Sequence, residues 1–287
     1  MTRAAILALV AVALVAGCAP PAISDPRPLV LTTTTVFADL VRNVAGDRVR
    51  VESIVPAGAH VEEYEPRPAD SRRVSQARLF FVNGLDLDAW AQRLLADRRA
   101  DAPVVTLSDG LPTIGDNPHL WFDVSLARRY VEKIRDALAV ADASGASAYA
   151  ANAARYETAL AALDTDVRAT IATIPAERRE LVTSHDAYPY FAKAYGLTIV
   201  GYSQIEAGKD PPPAALADLV EKIKAARVRA LFSEAGVSPR IVQMIASESG
   251  VTKIVTDMPT DSLMAAPADT YAGVMRTIAN KIADALR

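Results

Sequence analysis

The chain has 287 residues, of which 51% are hydrophobic and 23% charged, and its formal net charge is −3. Such a balance suits a soluble globular protein with enough length for two compact lobes or one large domain. It provides no basic face for nucleic acid, and a single cysteine rules out a disulfide framework.

Residues 1–17 read as a secretory signal. Arg3 precedes the apolar run AAILALVAVALVAG, which is too short for a comfortable membrane span and ends in small residues. Val15-Ala16-Gly17-Cys18 resembles the bacterial lipobox, in which the cysteine becomes the lipidated first residue. Cys18 is therefore the expected membrane anchor, and the chain is expected to be exported, periplasmic or at the cell surface. Residues 18–28, including APPAISDPRP, read as a tether with no reason to pack.

The body of the chain then alternates. Strands are predicted over Leu29–Thr33, Val49–Val55, Arg78–Val82 and Pro103–Thr106, with helices over Val36–Ala45, Ala69–Ala77, Asp88–Ala96 and Val124–Val140. A Pro/Gly loop, PAGAHVEEYEPRP, follows the second strand, and a turn-rich connection from Ser108 to Pro118 runs into NPHLWFD. Near the middle, Tyr149, Tyr156, Leu160, Leu163, Val167 and Ile171 repeat at helical spacing, with Ser147 as N-cap and Pro175 as stop. That helix would be roughly 40 Å long, the length of a small lobe, and its place suggests a spine between two halves. Beyond it strands are predicted over Glu180–Ser184, Thr198–Tyr202, Ala230–Ser233 and Thr252–Thr256. Helices are predicted over Tyr188–Tyr195, Ala214–Ala226, Pro239–Ser249 and Asp269–Leu286, and Ala207–Pro213 is a loop. This alternation implies an α/β fold with two parallel sheets wrapped by helices, binding its ligand at the carboxyl ends of the strands.

The chain has three histidines, His60, His119 and His185, all in loops beside predicted strands or helices and split two and one across the spine. Neutral imidazole is a common ligand for zinc-, copper- and manganese-type ions, and a carboxylate would complete such a set. Candidate carboxylates after strands are Glu234, Asp257 and Asp261. None of these residues has short-range metal-motif spacing.

PAGAHVEEYEPRPAD, NPHLWFD, TSHDAYPYFAKAYGL, LFSEAG and TDSLMAAPADTY resemble, in order, the motifs of the zinc/manganese ABC-transporter solute-binding proteins, the metal-binding lipoproteins of bacterial uptake systems. The resemblance covers nearly all of the chain after the leader. It implies two (β/α)4 lobes, residues 29–146 and 176–287, joined by one long rigid helix over 147–175, with the ion in the cleft between them. His119, His185 and Asp261 match family ligands, Asp257 is a fallback for Asp261, and Glu234 matches an acidic position that would orient an imidazole. At the first ligand the sequence departs: Glu62 stands where the family has histidine, and His60 stands two residues earlier. His60 is the favoured ligand, with Glu62 as the alternative. The implied function is capture of Zn2+, favoured over Mn2+, and delivery to a membrane permease by a lipid-anchored monomer that is not an enzyme. The competing readings are a zinc metallohydrolase built on the same cluster, and a siderophore-binding or adhesion lipoprotein on the same frame.

Overall fold

The computed structural model describes residues 25–204, 212–234 and 239–287. The expected signal, Cys18, most of the tether and the greater part of the Ala207–Pro213 loop lie outside the described residues. The first half runs β1 (Leu29–Thr32), α1 (Thr35–Ala45), β2 (Arg50–Ser53), α2 (Pro68–Gln76), β3 (Leu79–Val82), α3 (Ala91–Leu95), β4 (Val104–Thr106) and α4 (Val124–Ala141). The long helix α5 follows (Ala146–Ala172). The second half runs β5 (Glu180–Thr183), α6 (Pro189–Tyr195), β6 (Thr198–Tyr202), α7 (Pro213–Ala226), β7 (Ala230–Glu234), α8 (Pro239–Ser249), β8 (Lys253–Met258) and α9 (Tyr271–Leu286).

Each half forms a four-stranded sheet of the same order, β2-β1-β3-β4 and β6-β5-β7-β8, and every pairing is parallel. A parallel sheet must be covered on both faces, which is why β1 and β7 are buried along their whole length. The chain reverses its direction of travel across each sheet between β1 and β3, and again between β5 and β7. The crevices outside those carboxyl ends are the places where such sheets bind ligands.

Helix α5 packs on α1 and α4 from the first half and on α6 and α9 from the second. Its stripe of Tyr149, Leu160, Leu163, Val167 and Ile171 is buried, with Tyr156 half-buried beside it. One hydrophobic cluster runs without a break from Val30 through this stripe to Leu286, so both lobes share a core at their junction. Hydrogen bonds reinforce the junction: Tyr271 Oη donates to the Trp121 carbonyl at 2.6 Å, and Tyr271 N donates to Asp39 Oδ2 at 3.0 Å.

Ser147 is not the N-cap of α5. A 3-10 turn over Ala143–Gly145 feeds straight into the helix, which begins at Ala146. The polar anchor is Asp142, whose carboxylate receives Arg48 at 2.9 Å, Ser144 Oγ at 2.6 Å and Tyr149 Oη at 2.8 Å. A Cβ at Gly145 would lie 2.7 Å from the buried ring of Tyr149, and that close approach favours glycine there. Helix α3 is also shorter than the spacing predicts. Asp88 turns inward and accepts from Asn83 N at 2.6 Å, Gly84 N at 3.1 Å and Thr33 Oγ1 at 2.7 Å, so it serves the β3 loop instead of the helix. Among the described residues no helix is long and apolar enough to cross a membrane.

Leu163 is 1% exposed on the shared stripe. Leu163→Ala is expected to lower the unfolding free energy by about 2–5 kcal/mol. Ala162→Ser on the exposed face of the same helix should stay within about 0.5 kcal/mol. Urea titrations of the two variants check this difference.

Candidate metal centre

His119 is placed by a local turn. Asn117 Oδ1 accepts from His119 N at 3.0 Å, an Asx turn that Asn-Pro favours. The Pro118 carbonyl is held by Asn83 Nδ2 at 2.9 Å. The chain then sinks Leu120, Trp121 and Phe122 into the core before Asp123 caps α4 through Ser125 N. His119 is 2% exposed, with its ring 5.2 Å from that of Trp121.

His185 comes from the other lobe, two residues beyond the end of β5. Thr183 Oγ1 donates to its carbonyl at 2.9 Å, and Tyr188 Oη ties the following turn to the Pro259 carbonyl at 2.5 Å. Its Nδ1 lies 2.6 Å from Glu234 Oε2 at the end of β7, and its backbone N–H donates to Glu234 Oε1. Asp261 arrives on the loop after β8. That loop is latched to the first lobe: Leu263 N donates to Thr35 Oγ1 at 2.7 Å, and Gly58 N donates to Ser262 Oγ at 2.8 Å.

The three side chains meet at the seam. The His119 and His185 rings are 5.3 Å apart, and ligand atoms of His119, His185 and Asp261 all lie within 4.8 Å of one another. His119 Nε2 is 3.2 Å from Asp261 Oδ1 and 3.9 Å from Glu62 Oε1. Ligands about 2.1 Å from a tetrahedral ion stand roughly 3.4 Å from each other, so the spacing fits a first-row divalent cation. His119 Nε2, His185 Nε2 and Asp261 Oδ1 are buried and make no hydrogen bond. Each such orphan costs about 1–3 kcal/mol, an expense that a cation would relieve.

Of the two first-ligand candidates, Glu62 faces the trio and His60 does not join it. Val61 is buried and its carbonyl accepts from Trp90 Nε1 at 2.8 Å, which fixes the backbone just before Glu62. His60 is half-buried and lines a small cavity with Met258, Thr260 and Ser262, on the flank of the Asp261 loop. The fallback Asp257 is exposed and bonds to Thr256 Oγ1, because the last turn of the loop carries Asp261 inward and leaves Asp257 on the strand. Asn117, Thr35 and Ser262 were not legible as site residues. For Asn117 the Asn-Pro-His spacing was a usable signal, whereas Thr35 and Ser262 meet across a separation of 227 residues.

The charges are mutually adjusted. Burial would raise Asp261, but His119, His185 and His60 outweigh it and hold the carboxyl below its ordinary value. Burial and the charge of Asp261 push Glu62 up, against the pull of the two imidazoles. Burial opposes a charge on His185, yet Glu234, then Asp261 and Glu62, overcome it and push the imidazole up to about 9.

Two four-stranded parallel lobes on a helical spine, with imidazoles and carboxylates converging at the seam, define a substrate-binding protein for a metal cation. Residues 30–285 match the ZnuA family, described as zinc-uptake complex component A, periplasmic. The manganese-binding lipoprotein MntA of Halalkalibacterium halodurans is 37% identical over 86% of this chain and 84% of its own length. The manganese ABC transporter substrate-binding lipoprotein PsaA of Streptococcus pneumoniae is 32% identical over 92% and 90%. Among solved structures, the Mn-bound periplasmic metal binding protein of candidatus liberibacter asiaticus superposes with a TM-score of 0.84 at 27% identity, over 91% of this chain and 100% of that one. The periplasmic zinc binding protein TroA of Treponema pallidum gives 0.83 at 26%, over 91% and 99%. The chain belongs to this family of metal ABC-transporter substrate-binding proteins, whose members are not enzymes.

In chelator-treated protein the raised His185 sets a pH slope. Its stabilising proton is fully present below the unfolded value of about 6.5 and is lost as the pH rises through about 9. Unfolding free energy from urea titrations should therefore fall across that window, and His185→Gln should flatten the fall.

Proposed function

We propose that this chain captures a divalent cation of the Zn2+ or Mn2+ kind between its lobes and hands it to an ABC-transporter permease. His119 Nε2, His185 Nε2 and the Asp261 carboxylate are its ligands, with Glu62 the fourth and Glu234 orienting His185. The observation that carries the reading is the convergence of three buried ligand atoms without hydrogen-bond partners. A lipid on Cys18 anchors the exported protein, as in the relatives named as lipoproteins. No chemical step is involved, and the protein works as a monomer.

The choice of ion follows from the donor set. Two imidazoles with two carboxylates make a harder site than three imidazoles with one, which narrows the zinc advantage without reversing the affinity order. Zn2+ therefore binds more tightly than Mn2+, by a smaller margin than a histidine at position 62 would allow. The relatives point both ways, MntA and PsaA being named for manganese and TroA for zinc. Release comes from local movement of the loops carrying Glu62 and Asp261, because the continuous core along α5 resists a wide hinge.

Isothermal titration tests the ligand set. His119→Ala and His185→Ala should each weaken Zn2+ binding by about 100-fold or more with unchanged far-UV circular dichroism, and His60→Ala by less than about threefold. Glu62→His should widen the Zn2+ over Mn2+ preference by about tenfold. Equal losses at His60 and Glu62, or none at His119, would overturn the assignment. Titration at pH 7 in buffers of different ionisation enthalpy should show about one proton released on binding, because His185 must give one up.

A further inference from the structure

The carboxamide of Asn117 spans the seam. Its Oδ1 accepts from the backbone N–H of His119 at 3.0 Å and faces His119 Nδ1 at 3.2 Å. Its Nδ2 donates to the carbonyl of Asp186 at 2.6 Å, in the opposite lobe and next to His185. The backbone carbonyl of Asn117 accepts from Tyr190 Oη of α6 at 2.9 Å, and the same hydroxyl accepts from Ile114 N at 2.9 Å.

Those partners remove the usual ambiguity of an amide. A backbone N–H can only donate and a carbonyl can only accept, so both ends of the Asn117 side chain are fixed. With Oδ1 facing it, His119 Nδ1 must carry the ring proton, and the lone pair is left on Nε2, the atom turned toward Asp261 and Glu62. The other end of the amide is tied to the second lobe. Separating the lobes at Asp186 would leave the carboxamide held by the backbone N–H of His119 alone and would loosen the acceptor that selects the tautomer.

We propose that Asn117 is a positioning residue that makes the metal-ready form of His119 depend on engagement of the two lobes. Ligand orientation and seam closure then favour each other, and each must also resist the loss of the other. The kinetic half of this inference rests on the function proposed above, and the tautomer half does not.

The test uses the full chain labelled with 15N at histidine, where only three side chains report. Long-range 1H–15N correlation spectra of metal-free protein, at a pH where His119 is neutral, are compared for wild type, Asn117→Asp and Asn117→Ala. Wild type and Asn117→Asp, which keeps the acceptor, should hold His119 in the Nδ1–H form, whereas Asn117→Ala should give mixed tautomers. Zn2+ release into excess chelator should be about tenfold or more faster in both variants, since both lose the bond to Asp186. A retained Nδ1–H form in Asn117→Ala, or wild-type release from Asn117→Asp, overturns the proposal. If the wild type binds neither Zn2+ nor Mn2+, the functional reading falls, and the tautomer comparison alone decides the role of Asn117.

Discussion

The close approach of His119 Nε2 to Asp261 Oδ1, 3.2 Å across the junction of two lobes, is the constraint that the rest of the molecule serves. Both atoms are buried and neither makes a hydrogen bond. Left to itself such an arrangement would open toward water, because desolvated polar atoms cost more than the contact returns. It persists because the surrounding structure over-determines it. The aromatic anchors after His119, the latch from Leu263 to Thr35 and the shared core along α5 hold the two sides together.

Orientation of the imidazoles is achieved by unlike partners. Glu234 is a carboxylate, and it both fixes the His185 Nδ1 proton and raises the basicity of the ring. Asn117 is neutral and selects a nitrogen on His119 without adding charge. The site therefore contains one imidazole that starts protonated at neutral pH and one held by an uncharged amide. With Glu62, Asp261 and Glu234 nearby, this gives a pocket rich in negative charge, a setting that favours a doubly charged ion.

The frame also limits how the site can open. The connection between the halves is a helix with one buried stripe serving both. Bending it would break packing that runs from Val30 to Leu286. The loops that carry Glu62 and Asp261 are held by single anchors, Val61 and Leu263, and by a few hydrogen bonds, so a local shift there breaks less packing than bending α5.

Much of this was written in the chain itself. The alternation of strand and helix patterns, the six-residue stripe of α5, and the motifs around His119, His185 and Asp261 are local features, and local periodicity and turn chemistry are what a sequence displays directly. The β8 loop was harder to read: both Asp257 and Asp261 follow a predicted strand, and only the path of the chain turns one inward and leaves the other in solvent. The preference for His60 over Glu62 likewise came from residue type, whereas the buried Val61 and its bond to Trp90 decide which neighbour faces the cluster. Side-chain direction in an irregular loop depends on contacts made far along the chain. Residue chemistry was therefore visible in the sequence, while the meeting of Thr35 with Ser262, and of Asn117 with Asp186, existed only once the lobes had packed.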